Sequence, residues 1–256
     1  MQLVVVGSGT VAPSHERTAP AHWVTAGQTR ILLDCGAGTL HRAESLGIPW
    51  YQVNHVVLSH FHVDHWGELP ALLFALTWGI EPPRSEPLQI IGPMGLRSRL
   101  VMLAGAFGTW VLEPDYPLEV VEIVPEVPYQ LADGLELEAF DTPHTEHSVA
   151  YAVRDKEAHL VYTGDTGPSD ALAAWASGCD LLLAECSLPD HRAIDVHLTP
   201  RLAGELGRAA RARKLVLTHF YPLFEDIDPA AVASQAFGAP VDIAFDGARF
   251  QIGNNG

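Results

Sequence analysis

The stretch His60–Glu68, "HFHVDHWGE", sets His60, His62, Asp64, His65 and Glu68 within nine residues. Imidazole nitrogens and carboxylate oxygens at such density are costly to bury unless they bind something, and a metal cation suits both donor types. His60 and His62 alternate and project the same way, while Asp64 and His65 lie one turn further on and aim at a second point. That spacing suits two metal ions close together better than one. Two ions about 3.5–4 Å apart lower the pKa of a shared water and clamp a developing oxyanion, which is the chemistry of metal-assisted hydrolysis. Three further side chains of the same kind directly follow predicted strands: His144 in "FDTPHTEHS", Asp165 in "LVYTGDTG" and His219 in "LVLTHFYP". Four strand-end loops converging on one rim would gather all of these donors into a pocket.

The elements that must position them follow from hydrophobic runs and their stops. "QLVVVG", "TRILLDCG", "VNHVVLSH", "LQIIGP" and "LEVVEIVP" read as strands, as do "LELEAFDTPH", "SVAYAVRD", "HLVYTGD", "DLLLAEC", "KLVLTHF" and "DIAFDG". "ELPALLFALTW", "GLRSRLVMLAGAFGTW", "DALAAWASG" and "TPRLAGELGRAARA" have helical length, the last with Thr199 as N-cap and Pro200 at its first position. Strands come in runs and then alternate with helices. Two sheets covered by helices are therefore expected, rather than one Rossmann sheet. Glu68 is expected to begin the helix after the cluster, where a carboxylate is stabilised near the N-terminus.

The totals exclude several classes. With 256 residues, 48% hydrophobic and 18% charged, the chain can bury a full core and is not a disordered protein. Cys35, Cys179 and Cys186 are odd in number and lack CxxC spacing, which points to a reducing compartment, the cytoplasm. No signal peptide and no membrane span is expected. Fifteen Lys and Arg against 31 Asp and Glu give a formal charge of −16, and only Lys156 and Lys214 supply the lysines. Such a field repels a polyanion, so composition favours a small-molecule substrate.

The HxHxDH cluster, followed by a separate histidine, a GDT-type aspartate and a late histidine, resembles the metallo-β-lactamase superfamily, and the match spans nearly the whole chain. The resemblance implies an α/β fold, a four-layer αβ/βα sandwich formed by a single domain over residues 1–256, with a dinuclear centre at one edge. It implies that His60, His62 and His144 hold one ion, that Asp64, His65 and His219 hold the other, and that Asp165 bridges both. Zinc suits this nitrogen and oxygen set first, and manganese and iron are compatible with it. A hydroxide bridging the two ions would then be the nucleophile.

The segments "GSGTVAPSHERT", "LLDCGAGT", "IIGPMGL", "YTGDT" and "LLLAECS…HLT" resemble ribonuclease Z and its phosphodiesterase and arylsulfatase relatives. That branch carries a Glu in a "HEAT"-like segment paired with a His in an "HST"-like one, and Glu185 and His197 match these positions. The resemblance implies that His197, oriented by Glu185, protonates the leaving oxygen, so Asp64, Glu185 and His197 are the catalytic candidates. The departures concern the substrate. "PSHERT" keeps Pro13 and Arg17 of a P-x-K-x-R-N loop but not its lysine or asparagine, and "THFYPLF" lacks the serine and arginine of H-x-S-x-R. No basic, Gly/Pro-rich arm lies between Glu68 and His144. These features speak against tRNA and for a small phosphodiester such as a cyclic nucleotide. The alternatives are tRNA 3′-processing, arylsulfatase or lactonase activity on the same site, or a non-hydrolytic cofactor-biosynthesis protein on this fold.

Other residues carry weaker signals. His147 is an alternative to His144, but the pattern H-x3-S-x2-Y, matched by His144, Ser148 and Tyr151, favours the latter. His15 and His22 are the remaining histidines expected nearest the pocket, and Arg17 is a candidate phosphate contact. Trp66, Trp78, Phe107 and Trp110 suit either the core or the lining of an apolar pocket, and "LVMLAGAFGTW" also suits a homodimer interface.

Overall fold

Alternating apolar residues decide the layering of the chain, whose computed structural model describes residues 1–224 and 226–253. In the first sheet β1 (Gln2–Gly7), β2 (Ala21–Ala26), β3 (Thr29–Leu33), β4 (His55–Val57), β5 (Leu88–Gly92) and β6 (Leu118–Glu122) lie side by side in that order, with β14 (Arg249–Gln251) outside β1. The second sheet runs β7 (Tyr129–Gln130), β8 (Glu136–Asp141), β9 (Val149–Arg154), β10 (His159–Tyr162), β11 (Leu181–Glu185), β12 (Leu215–Thr218) and β13 (Asp242–Ile243). In each sheet an antiparallel half passes into a parallel half, at β3–β4 and at β10–β11.

Successive side chains on a strand face opposite ways, so each strand feeds two layers. Leu3 and Val5 of β1, Leu160 and Tyr162 of β10, and Leu181 and Leu183 of β11 join the core between the sheets. Val4 and Val6 pack outward with Leu32, Val56 and Ile90 against α3 (Leu69–Trp78) and α4 (Leu96–Phe107). On the far side Val161, Leu182 and Ala184 meet α5 (Asp170–Trp175), α6 (Pro200–Ala209) and α7 (Pro229–Phe237). The result is the four-layer αβ/βα sandwich that the sequence resemblance implied. No described helix is long and apolar enough to cross a membrane.

The sequence reading assigns no strand to β2. "AHWVTA" is almost wholly buried between β1 and β3, but His22 and Thr25 break it, so it shows neither a clean alternation nor an unbroken apolar run. It also misses α1 (Thr39–Ser45) and the alanine-rich α7, which Asp228 caps by accepting from the amides of Ala230 and Ala231. Thr199 does cap α6, and Pro200 does open it.

Candidate metal centre

The parallel halves matter because their strands end together. Asp34 follows β3, His60 follows β4, Asp165 follows β10 and His219 follows β12, while Glu185 closes β11. Asp34 and His219 both hold positive φ, 59° and 64°, a backbone state uncommon outside glycine that turns the chain sharply at the sheet edge. His62 precedes the short helix α2 (Val63–Trp66), whose first turn aims Asp64 and His65 inward. The loop after β3 closes on that helix so tightly that a Cβ on Gly36 would lie 2.0 Å from the Asp64 carbonyl oxygen.

The seven predicted ligands converge. One ligand atom from each of His60, His62, His144 and Asp165 lies within 4.8 Å of the others, and so does a second set from Asp64, His65 and His219. Asp165 turns a different oxygen to each set. Its Oδ2 lies 3.8 Å from His60 Nε2 and 3.6 Å from His144 Nε2, and its Oδ1 lies 3.3 Å from both His65 Nε2 and His219 Nε2. Asp64 Oδ2 is 3.6 Å from His219 Nε2. Glu68 stays out. It precedes α3, and its carboxylate accepts from the Thr39 and Leu40 amides and so caps α1 instead.

Partners behind the rings assign the tautomers. Asp34 Oδ2 lies 2.7 Å from His65 Nδ1, so Nδ1 donates and Nε2 faces the centre. Ser187 Oγ donates to Glu185 Oε2 and therefore accepts from His219 Nδ1, at 2.8 Å. Both Nε2 lone pairs then point at each other across 3.2 Å, with Asp165 Oδ1 beside them. Lone pairs and a carboxylate converging in a buried space need positive charge among them, which a proton or a metal ion supplies. His60 Nε2 and Asp165 Oδ1 are buried with no hydrogen-bond partner, which fits the same requirement. The buried carboxylates favour positive charge at this point: burial pushes His65 down, but Asp165 and Asp34 outweigh it and hold it well above an ordinary histidine. Burial and the neighbouring imidazole of His65 push His60 well down. The donor set thus fits divalent ions.

His197 stands at the edge of this centre, with 13% of its side chain exposed. Its Nδ1 donates to Glu185 Oε1 at 2.8 Å and lies 4.0 Å from Asp165 Oδ2. Glu185 is fully buried and also accepts from the Thr166 amide, the Ser187 amide and Ser187 Oγ. Burial pushes His197 down, but its hydrogen bond to Glu185 prevails and raises it.

Sequence reasoning missed Asp34, Ser59, Tyr162 and Ser187. Asp34 accepts from His65, from the Ser59 amide and hydroxyl and from the Tyr162 hydroxyl, all within 2.8 Å. The available signal was the carboxylate ending "ILLD", directly after a buried strand. His147 lies outside both ligand sets. His22 is fully buried with both ring nitrogens unpartnered, its ring edge-on to Tyr162. Arg17 is tied into the fold: Nη1 donates to Ser8 Oγ and the Ala244 carbonyl, and the guanidinium covers Phe220. Trp66 packs on Phe61 within the ligand loop, whereas Phe74, Trp78 and Trp110 meet tilted or edge to face and, with Phe107, line an open cavity of about 650 Å³. Trp78 and Phe107 are thus surface residues, not core.

Known proteins resemble this chain over most of its length. The family described as the β-lactamase superfamily domain matches residues 29–220. A protein named ribonuclease Z from Mycobacterium bovis is 27% identical, with 98% of each chain covered. Among solved structures, the metallo-β-lactamase fold protein YhfI from Bacillus subtilis superposes with a TM-score of 0.83 at 23% identity, covering 97% of this chain and 98% of that one. Human tRNase Z, short form, gives 0.80 at 24% identity, covering 98% and 99%. The expectation that tRNA is an improbable partner is overturned by these matches. Full-length similarity to proteins named ribonuclease Z, in chains of nearly equal span, outweighs the argument from net charge, from the two altered loop motifs and from the missing basic arm. The physical reason is that a total of −16 is summed over the whole surface, whereas the field at a pocket is set by its own groups and bound cations.

Proposed function

We propose, since this chain belongs to the β-lactamase superfamily, that it is a dinuclear, zinc-dependent phosphodiesterase. The observation that carries the reading is Asp165, which presents one carboxylate oxygen to each of two donor sets while Glu185 holds His197 beside it. His60, His62 and His144 would hold one ion and Asp64, His65 and His219 the other, with Asp165 shared. When bound, such ions supply Lewis acidity and a water acidic enough to be a nucleophile near neutral pH.

The remaining work falls to the protein. His197 gives its Nδ1 proton to the hydrogen bond with Glu185, which leaves Nε2–H as the transferable proton. A protonated imidazole held by a buried carboxylate is a competent acid for a departing alkoxide. Glu185 is itself held by the Thr166 amide and by the amide and hydroxyl of Ser187, so it offers His197 a fixed acceptor. The three cysteines are free and buried, which supports a reducing compartment such as the cytoplasm.

Small diesters and an RNA bearing a 3′ extension are the substrates to try side by side, the RNA favoured by the 98% coverage of the ribonuclease Z relative. Purified protein assayed on bis-p-nitrophenyl phosphate, an aryl sulfate, a lactone and a precursor tRNA should hydrolyse a phosphodiester. Turnover of the sulfate or lactone with no phosphodiester cleaved, small or RNA, would sink the reading.

A further inference from the structure

The imidazoles of the two donor sets are not anchored alike. We infer that the two metal positions are unequal: the Asp64–His65–His219 position holds its ion more tightly than the His60–His62–His144 position and is the last to be emptied. The inference rests on the two-ion reading above.

Three observations carry it. The first is charge. Asp165 is shared, but Asp64 belongs to one set alone, and the fully buried Asp34 bonds directly to His65 of that set and reaches the other set only through a hydroxyl. Buried carboxylates attract a divalent ion with little screening. The second is anchoring. His65 Nδ1 donates straight to Asp34 Oδ2 at 2.7 Å, and His219 Nδ1 reaches Glu185 through one hydroxyl, Ser187 Oγ. In the other set His60 Nδ1 reaches Asp34 through Ser59 Oγ, but His144 Nδ1 donates only to the Val196 carbonyl. A carboxylate behind a ligating imidazole fixes its orientation and raises its basicity more than a neutral acceptor does. The third is exposure. His65 is fully buried and His219 nearly so, whereas His62 is exposed and its Nδ1 meets only His144 Nε2, at 3.1 Å.

Ser187 is thereby a positioning residue with two connections. One carboxylate, Glu185, orients the proton donor His197 through Oε1 and the metal-facing His219 through Ser187 and Oε2. Proton delivery and the tighter metal position share an anchor.

The test reads metal rather than turnover. Zinc-loaded, full-length protein is challenged with a graded chromophoric chelator, and zinc release is followed per mole of protein. Two separated steps are expected, the second needing at least about tenfold more chelator. Ser187→Ala should loosen the strongly held equivalent by roughly 10- to 100-fold and leave the weakly held one in place, with Ser187→Thr restoring the wild-type curve. Asp34→Asn should loosen the strongly held equivalent through His65 and, to a smaller degree, the weakly held one through Ser59 and His60. His62→Ala should remove the weakly held equivalent alone; because His62 is exposed, this variant stays informative if a buried one fails to fold. Two equivalents leaving together from the wild type, or His62→Ala removing the strongly held one, overturns the inference. Protein that takes up no zinc overturns both this inference and the two-ion reading. Ordered release from a protein that cleaves no phosphodiester leaves the inference standing and refutes the proposed function alone.

Discussion

Removing His197 tests the proton-transfer role through the leaving group. Its Nδ1 is committed to Glu185 at 2.8 Å, so the one proton it can deliver is on Nε2. General acid catalysis contributes about 10²- to 10⁴-fold, or roughly 3–5 kcal/mol of barrier. That whole amount should be lost in His197→Ala for a diester with an alkoxide leaving group. A p-nitrophenolate leaving group departs without protonation, so bis-p-nitrophenyl phosphate should lose less than about tenfold. The pH profile gives a second reading. Because Glu185 raises His197, the acid form persists above the ordinary histidine range and activity declines as pH rises through the raised value. Glu185→Gln should bring that decline to lower pH. The assay is kcat on paired diesters that differ only in the leaving group, with zinc content measured on the same samples. Zinc content matters because His197 also lies close enough to Asp165 and His219 to share an ion. Equal losses on both leaving groups, or a loss of zinc in His197→Ala, would show that His197 is a ligand or a prop and not the acid.

Asp165→Ala should remove zinc from both positions and abolish hydrolysis, since its two oxygens face both donor sets; a variant keeping both ions and full activity would refute the assignment. His22 predicts an acid-sensitive component of stability. Burial lowers it from 6.5 to about 3, so below pH 6.5 the unfolded chain takes up a proton that the folded chain refuses. Stability is full above 6.5 and falls with pH by roughly 1.4 kcal/mol per unit until about pH 3. Denaturant titrations between pH 6.5 and 5 should therefore show a slope shallower by about one proton in His22→Gln; identical slopes would refute it. Asp246 accepts from the amides and hydroxyls of Ser8 and Thr18 and pairs with Arg42 at 3.2 Å, pinning the first loop beside the centre. Asp246→Ala should cost of order 3 kcal/mol by stranding several donors at once, and a change below about 1 kcal/mol in chemical denaturation would contradict that role.

Local spacing was enough to read part of this protein. "HFHVDH" places donors for two points because a loop and one helical turn are short-range geometry, and buried apolar runs announce most strands of both sheets. The strand-end positions of His144, Asp165 and His219 were legible for the same reason. Other features depend on long-range packing that spacing does not encode. Asp34 meets Tyr162 across 128 positions, and His65 meets His219 across 154, only because the two sheets pack face to face with their parallel ends on one rim. Which aspartate oxygen faces which histidine, and which carboxylate stands behind each ring, are decided there. β2 escaped notice because His22 and Thr25 interrupt the apolar run by which the other buried strands announce themselves. Net charge is a poor guide to an RNA partner because it is a sum over the whole surface, while any recognition is local. Sequence alone determined the donor types and hence the class of chemistry. Tertiary structure decided their pairing, because hydrogen bonds set tautomer and basicity only once their partners have been brought within 3 Å.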